Sequence, residues 1–200
     1  MSRSLRVLGI DPGLTRCGLG VVDVSPNRTA SLVHVGVARS APTDPIEKRL
    51  AAIAAGIREV LVRHQPHVVA VERVFAQNNL HSVMGTAQAS GIALLLAAEH
   101  GLAAATHTPS EVKAAITGYG SADKLQVQTM VARVLRLDSL PQPADAADAL
   151  AIALCHAWRG GAAGASGDDT LTPAQKAWRD AEKKRTPPTR VARTHVRTGA

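Results

Sequence analysis

The chain reads as an α/β protein on a five-stranded mixed sheet, a three-stranded antiparallel meander plus two parallel strands, flanked by helices. Three observations carry that reading. Three Gly- and Val-rich apolar runs follow one another near the N-terminus with only turn residues between them. The apolar period then lengthens to three and four residues, as a helix requires. Two short apolar runs return later, each followed by helical pattern, which makes crossover connections and places those strands parallel to the first.

The first strand spans Leu5 to Ile10 and the second Cys17 to Val24, with Asp11-Pro12-Gly13 turning the chain between them. Ser25-Pro26-Asn27 precedes a third strand, Thr29 to Ala38. Between Asp44 and His64 the residues Ile46, Leu50, Ile53, Ile57 and Leu61 repeat at helical spacing, and Pro66 stops the pattern. Val68 to Val71 is a continuous apolar run ending at Glu72, as expected of a strand buried on both faces. A helix over 79–99, a weaker strand from Ala103 to Thr106, and helices near 109–117, 121–136 and 143–158 complete the domain.

Composition sets the class. The 200 residues allow one domain and a tail, and the 46% hydrophobic content with only 2% aromatic predicts an aliphatic, alanine-packed core. The longest apolar stretch, Gly91 to Ala98, is too short to span a bilayer, so no membrane is expected. The N-terminus meets Asp11 before any secretory pattern can form, so a cytosolic location is expected. Cys17 and Cys155 are too few for a disulfide framework or a thiolate zinc site, and suit buried hydrophobes. The histidines, His64, His67, His81, His100, His107 and His156 among them, show no zinc-site spacing.

A net charge of +7 favours an anionic partner, nucleic acid or acidic membrane. Composition shifts at Gly160: residues 160–200 are small, polar and basic and read as a disordered tail, with a short helix around Pro173 to Lys184 as an option. Their eight basic and four acidic residues give +4, leaving +3 for the domain at 1–159.

Four acids of that domain stand at element ends. Asp11 follows the first strand, Glu72 the fourth, and Asp145 and Asp148 lie at i and i+3 at the start of the last helix. If the first and fourth strands are parallel neighbours, Asp11 and Glu72 emerge at one sheet edge, and a helix packed there would complete an acidic pit. Plainer roles exist: Asp11 can cap a hairpin, and Asp145 can cap the helix with Asp148 returning the bond. Glu72 fits such a role poorly, because a charge after a buried strand is costly unless solvated or paired. Clustered carboxylates suit Mg²⁺ or Mn²⁺, and two such ions about 3.5–4 Å apart support in-line attack on a phosphodiester. A basic protein with an acidic pit reads as a metal-dependent nuclease.

The segments Gly9-Ile-Asp-Pro-Gly-Leu-Thr-Arg-Cys-Gly18, Val71-Glu-Arg-Val-Phe75 and Ala144-Asp-Ala-Ala-Asp-Ala-Leu-Ala151 closely resemble the RuvC Holliday-junction resolvases. Thr108-Pro-Ser-Glu-Val-Lys113 and Ser121-Ala-Asp-Lys-Leu-Gln-Val-Gln128 look like that family too, in order and over about residues 5–158. The resemblance implies a ribonuclease H-like fold and a homodimer that nicks four-way DNA junctions symmetrically with Mg²⁺, two ions per site, Mn²⁺ being able to substitute. It implies Asp11, Glu72, Asp145 and Asp148 as catalytic metal ligands, with Asp11 between the two ions. Some members carry His where Asp145 stands. Cooperation with the RuvA and RuvB branch-migration proteins is likewise implied.

Phe75, the sole phenylalanine, matches the family's aromatic that stacks on bases, beside the polar Gln77 and Asn79. Lys113 and Lys124, read at helix starts, match lysines of the family's DNA contacts or catalysis. Arg73 occupies a position often uncharged there. The apolar helix at 79–99 is the candidate dimer interface. Two other classes compete. Asp11-x-Gly13-x-Thr15-x-x-Gly18 resembles the phosphate loop of the actin and sugar-kinase superfamily, but no second phosphate loop or domain accompanies it. A non-catalytic nucleic-acid-binding module would have no use for four retained acids.

Overall fold

A computed structural model of the chain describes residues 4–74 and 80–163. The meander is β1 (Leu5–Asp11), β2 (Arg16–Val24) and β3 (Ala30–Arg39). Then follow α1 (Ile46–His64), β4 (Val68–Glu72), α2 (Leu80–Glu99), β5 (Ala103–His107), α3 (Pro109–Thr117), α4 (Lys124–Leu135) and α5 (Ala144–Ala163). The sheet order is β3-β2-β1-β4-β5, with β1 antiparallel to β2 and parallel to β4. This is the mixed sheet the sequence predicts. Among the described residues no helix is long and apolar enough to cross a membrane.

Several boundaries move by a few residues for local reasons. Asp11 and Glu72 are the last residues of their strands rather than the residues after them. Helix α4 starts at Lys124, three residues later than the pattern suggests, because Asp123 caps it by accepting from the Gln126 N–H. Helix α5 runs through Gly160 to Ala163, beyond the expected domain end. Phe75, Gln77, Asn79 and the tail segment Pro173 to Lys184 lie outside the described residues.

The central strand is apolar on both sides: Val7, Leu8 and Ile10 are all fully buried. On one face Leu8, Ile10, Leu19 and Val21 pack against Ile53 and Ile57 of α1 and Leu96 of α2. On the other, Val7 and Val22 meet Leu150, Ile152 and Leu154 of α5, with Val112, Ile116 and Val131 of α3 and α4 behind. Helix α5 is thus sandwiched, and its alanines at 146, 147, 149, 151 and 153 are buried. Small side chains let it lie close on the sheet, where the core is alanine-packed as expected. Cys17 and Cys155 are buried thiols in the two clusters.

Two glycines set that approach. A Cβ on Gly9 would overlap the Ala149 carbonyl oxygen, and one on Gly18 the carbonyl oxygen of Asp145. Gly18 is also the register partner of Asp11. Strand backbone and helix backbone therefore touch where β1 ends, and the first turns of α5 are seated beside Asp11.

Candidate active site

The parallel pairing of β1 and β4 brings Asp11 and Glu72 out at one edge of the sheet. Helix α5 adds Asp145 in its first turn and Asp148 one turn on. Asp145 caps nothing. It is the second residue of α5, inside the helix, and the N–H groups of Ala146 and Ala147 donate to the Pro143 carbonyl. The capping explanation for that pair therefore falls.

The four acids act on one another electrostatically. Burial pushes the Asp11 carboxyl from 3.8 up to about 8, and Glu72, Asp148 and Asp145 add repulsion. Glu72 is raised as well, first by burial and then by Asp148. Cations oppose this. Lys124 Nζ donates to Asp148 Oδ2 at 2.7 Å, and that bond, set against partial burial, holds its ammonium above the ordinary lysine range. Arg16 Nε lies 2.6 Å from Asp145 Oδ2, yet the N–H is not aimed at it, so this buried oxygen accepts no hydrogen bond. Among the described residues no three His, Cys, Asp or Glu side chains close on a common point as they stand. Asp145 and Asp148 are turned to their cations.

A cleft of about 220 Å³ opens beside the acids, lined by Glu72, Lys113, Lys124 and Asp148 over a floor of Val112 and Ile152. Both lysines meet there, but by different routes. Lys124 is the first residue of α4, whereas Lys113 lies one turn inside α3 rather than at its start. Both helices are capped by their own side chains. Thr108 and Glu111 form a capping box on α3, and Asp123 and Gln126 form one on α4. Lys113 brings its ammonium charge alone, a correction to its helix-start reading, whereas Lys124 does stand at the start of α4. Glu111 Oε1 also accepts from Arg159 of α5 at 3.1 Å, tying α3 to the helix that carries the acids. Arg73 follows β4, exposed, and donates to Thr106 Oγ1 at 3.3 Å.

The crossover junction endodeoxyribonuclease RuvC family model matches residues 7–156 of this chain. The chain belongs to the RuvC family. Its sequence is 62% identical to the RuvC of Leifsonia xyli subsp. xyli over 193 residues, 90% of this chain and 93% of that protein. Its structure is similar to T. thermophilus RuvC solved in complex with a Holliday junction substrate. The TM-score is 0.76 at 40% identity, over 80% of this chain and 96% of that one. The yeast mitochondrial Holliday junction resolvase Ydc2, 12% identical, shares the fold at a TM-score of 0.58, covering 92% of this chain and 85% of that one. A RuvC-family nuclease implies a divalent metal ion, and the donor set fits one. All four candidate donors are hard carboxylate groups, one of their oxygens is buried without a hydrogen bond, and burial with mutual repulsion raises Asp11 to about 8, a conflict that a cation would relieve.

Sequence reading missed three features of this RuvC-family site. The glycine seat under α5 was visible only as Gly-rich strands, and Arg16 was passed over as part of a motif. His107 and His156, read singly, form a pair with Nε2 and Nδ1 3.0 Å apart where β5 meets α5. Helical spacing on α5 could have suggested that His156 shares a side with Ile152 and Arg159.

Proposed function

We propose that the chain resolves four-way DNA junctions by paired, symmetric nicks, as a Mg²⁺-dependent endonuclease acting in recombination and repair. The observation that carries this is the set of four carboxylates, delivered by β1, β4 and α5 to one edge, beside a lysine-lined cleft. Asp11, Glu72, Asp145 and Asp148 would hold the ions, two per site, Mn²⁺ serving as well. Ions held there would supply a water activated near neutral pH and would stabilise the leaving oxygen of the phosphodiester. Lys113 and Lys124 draw the scissile phosphate toward the acids, and Arg73 extends that basic rim along the emerging end of β4. Phe75, with Gln77 and Asn79, is assigned to stacking and polar contact at the crossover, where an aromatic face replaces a lost base partner.

Paired nicking needs two sites, and α2 offers the surface for a homodimer. Met84 and Leu95 are 60% and 54% exposed and lie about three turns apart on one side of the helix, with the exposed Leu94 beside Leu95. A cytoplasmic location and cooperation with RuvA and RuvB belong to the same reading.

The decisive assay is metal dependence on a synthetic junction. The full chain should bind the junction in Ca²⁺ and cut it in Mg²⁺, at two points related by two-fold symmetry. Asp11→Asn and Glu72→Gln should keep binding and lose cutting. Equal cutting of linear duplex and junction removes the resolvase reading, and cutting by either variant removes the site.

A further inference from the structure

Lys113, Lys124 and Arg73, the described residues assigned to DNA so far, lie on the α3, α4 and β4 side of the carboxylates. The opposite side carries a basic pair with no role yet. Arg16 opens β2, Arg39 closes β3, and the two are direct register partners. They share a face. Gly18 lies against the Asp145 backbone, so Arg16, two residues earlier, projects toward α5 as well. Ala38 meets Gly56 of α1 on the other face, which turns Arg39 to the α5 side. Both side chains are exposed.

Like charges directly opposite on one face of an antiparallel pair repel. Little in the chain relieves this pair. Among the described residues the Arg39 side chain has no ion pair or hydrogen bond, and Arg16 has Asp145 alone, without a hydrogen bond. Nor can the strand ends splay easily to separate the charges. Arg49 of α1 clamps them, its Nη2 donating to Thr15 Oγ1 at 2.7 Å and its Nε to Ser40 Oγ at 3.1 Å. The Ser40 hydroxyl in turn donates to the Leu14 carbonyl at 2.6 Å. Two arginines are therefore held directly opposite one another on one face, under-neutralised, next to an acid of the candidate site.

We infer that Arg16 and Arg39 form a second phosphate-binding site, which grips the DNA backbone on the far side of the carboxylates from Lys113 and Lys124. The inference rests on the nuclease reading above. Its ligand is a backbone phosphodiester, recognised by charge and by the guanidinium fork without base preference. With basic groups on both flanks, a strand laid across the acids is positioned at two points instead of one. Asp145 orients Arg16 toward this path while DNA is absent.

Junction binding by the full chain in Ca²⁺, titrated over a series of KCl concentrations, tests this. Arg39→Gln should weaken binding several-fold and lower the slope of log affinity against log salt by about one. Arg16→Gln with Arg39→Gln should lower it by about two, and Arg39→Lys should restore most of the slope. The Arg39→Gln melting temperature should equal or exceed that of the wild type, because the pair repels. An unchanged slope in the double variant overturns the inference while wild-type cutting upholds the nuclease. A lowered melting temperature with unchanged slope overturns it in favour of a structural role. A wild-type chain that neither binds nor cuts the junction overturns both readings.

Discussion

The two ends of β1 are built on opposite principles. At its start Arg6 faces its register partner Asp23 and donates to both carboxylate oxygens, at 2.8 and 2.7 Å, while a third N–H reaches the His64 carbonyl at 2.9 Å. The hydrogen bonds from Arg6 hold the Asp23 carboxyl below its ordinary range. At the other end Asp11 is buried among acids and raised to about 8. One end of β1 thus answers the acid of its neighbouring strand, and the other end holds an acid left in conflict. Folding supplied a partner where only stability was at stake, and left one to be bound where charge is the working feature.

The largest break in that contrast is at Gly18, opposite Asp11. In Gly18→Ala the new methyl group collides with the Asp145 backbone rather than with a flexible side chain, so α5 must lift. We expect a loss of about 3 kcal/mol in urea unfolding, and cleavage reduced further than junction binding. Cleavage at the wild-type rate would show that the close seat of α5 does not set the acids.

Asp11→Asn acts in the opposite direction. The Asp11 carboxyl titrates at about 8 in the fold against an ordinary 3.8, so the protein favours its protonated form. Its stability contribution is fully present below about pH 4 and is lost as pH rises through 8. The metal-free variant should match the wild type at pH 4 and exceed it by about 1–2 kcal/mol at pH 8. Thermal unfolding in EDTA across that range checks it. A variant less stable than wild type at pH 8 would mean that burial and repulsion are not what Asp11 bears.

Much of the acidic end of β1 is legible in the amino-acid sequence. Apolar runs placed Asp11 and Glu72 at strand ends, and helical spacing placed Asp145 and Asp148 on one side of a helix, so the acidic edge followed from periodicity and parallel pairing. The counter-charges did not. Arg16 reaches Asp145 across the close seat of α5 on β1 and β2, a distance set by glycines whose sequence signal is the absence of a side chain, and Lys124 reaches Asp148 from α4, a helix-to-helix contact that periodicity does not locate. The Arg6 and Asp23 pair was hidden for a related reason: cross-strand partners depend on register, and a turn of one residue more would have set Arg6 beside a different neighbour.

The answered end of β1 gives the smallest effect and the cleanest sign. Asp23→Asn removes the charge but keeps the shape, and both side chains of the pair are part-exposed, at 34% and 24%, so water screens what is lost. We expect about 0.5–1 kcal/mol of destabilisation at pH 7. Because the folded Asp23 titrates below 3.8, this contribution is present above about pH 4 and fades as pH falls further. Wild type and variant should converge in acid, where Asp11 and its amide converge too, and diverge at neutral pH with opposite signs. The double variant Asp11→Asn with Asp23→Asn should show the sum of the two single effects at every pH, because the ends of β1 share no partner. A coupling between them larger than about 0.5 kcal/mol would mean that the conflict at one end is transmitted along the strand rather than confined to the site.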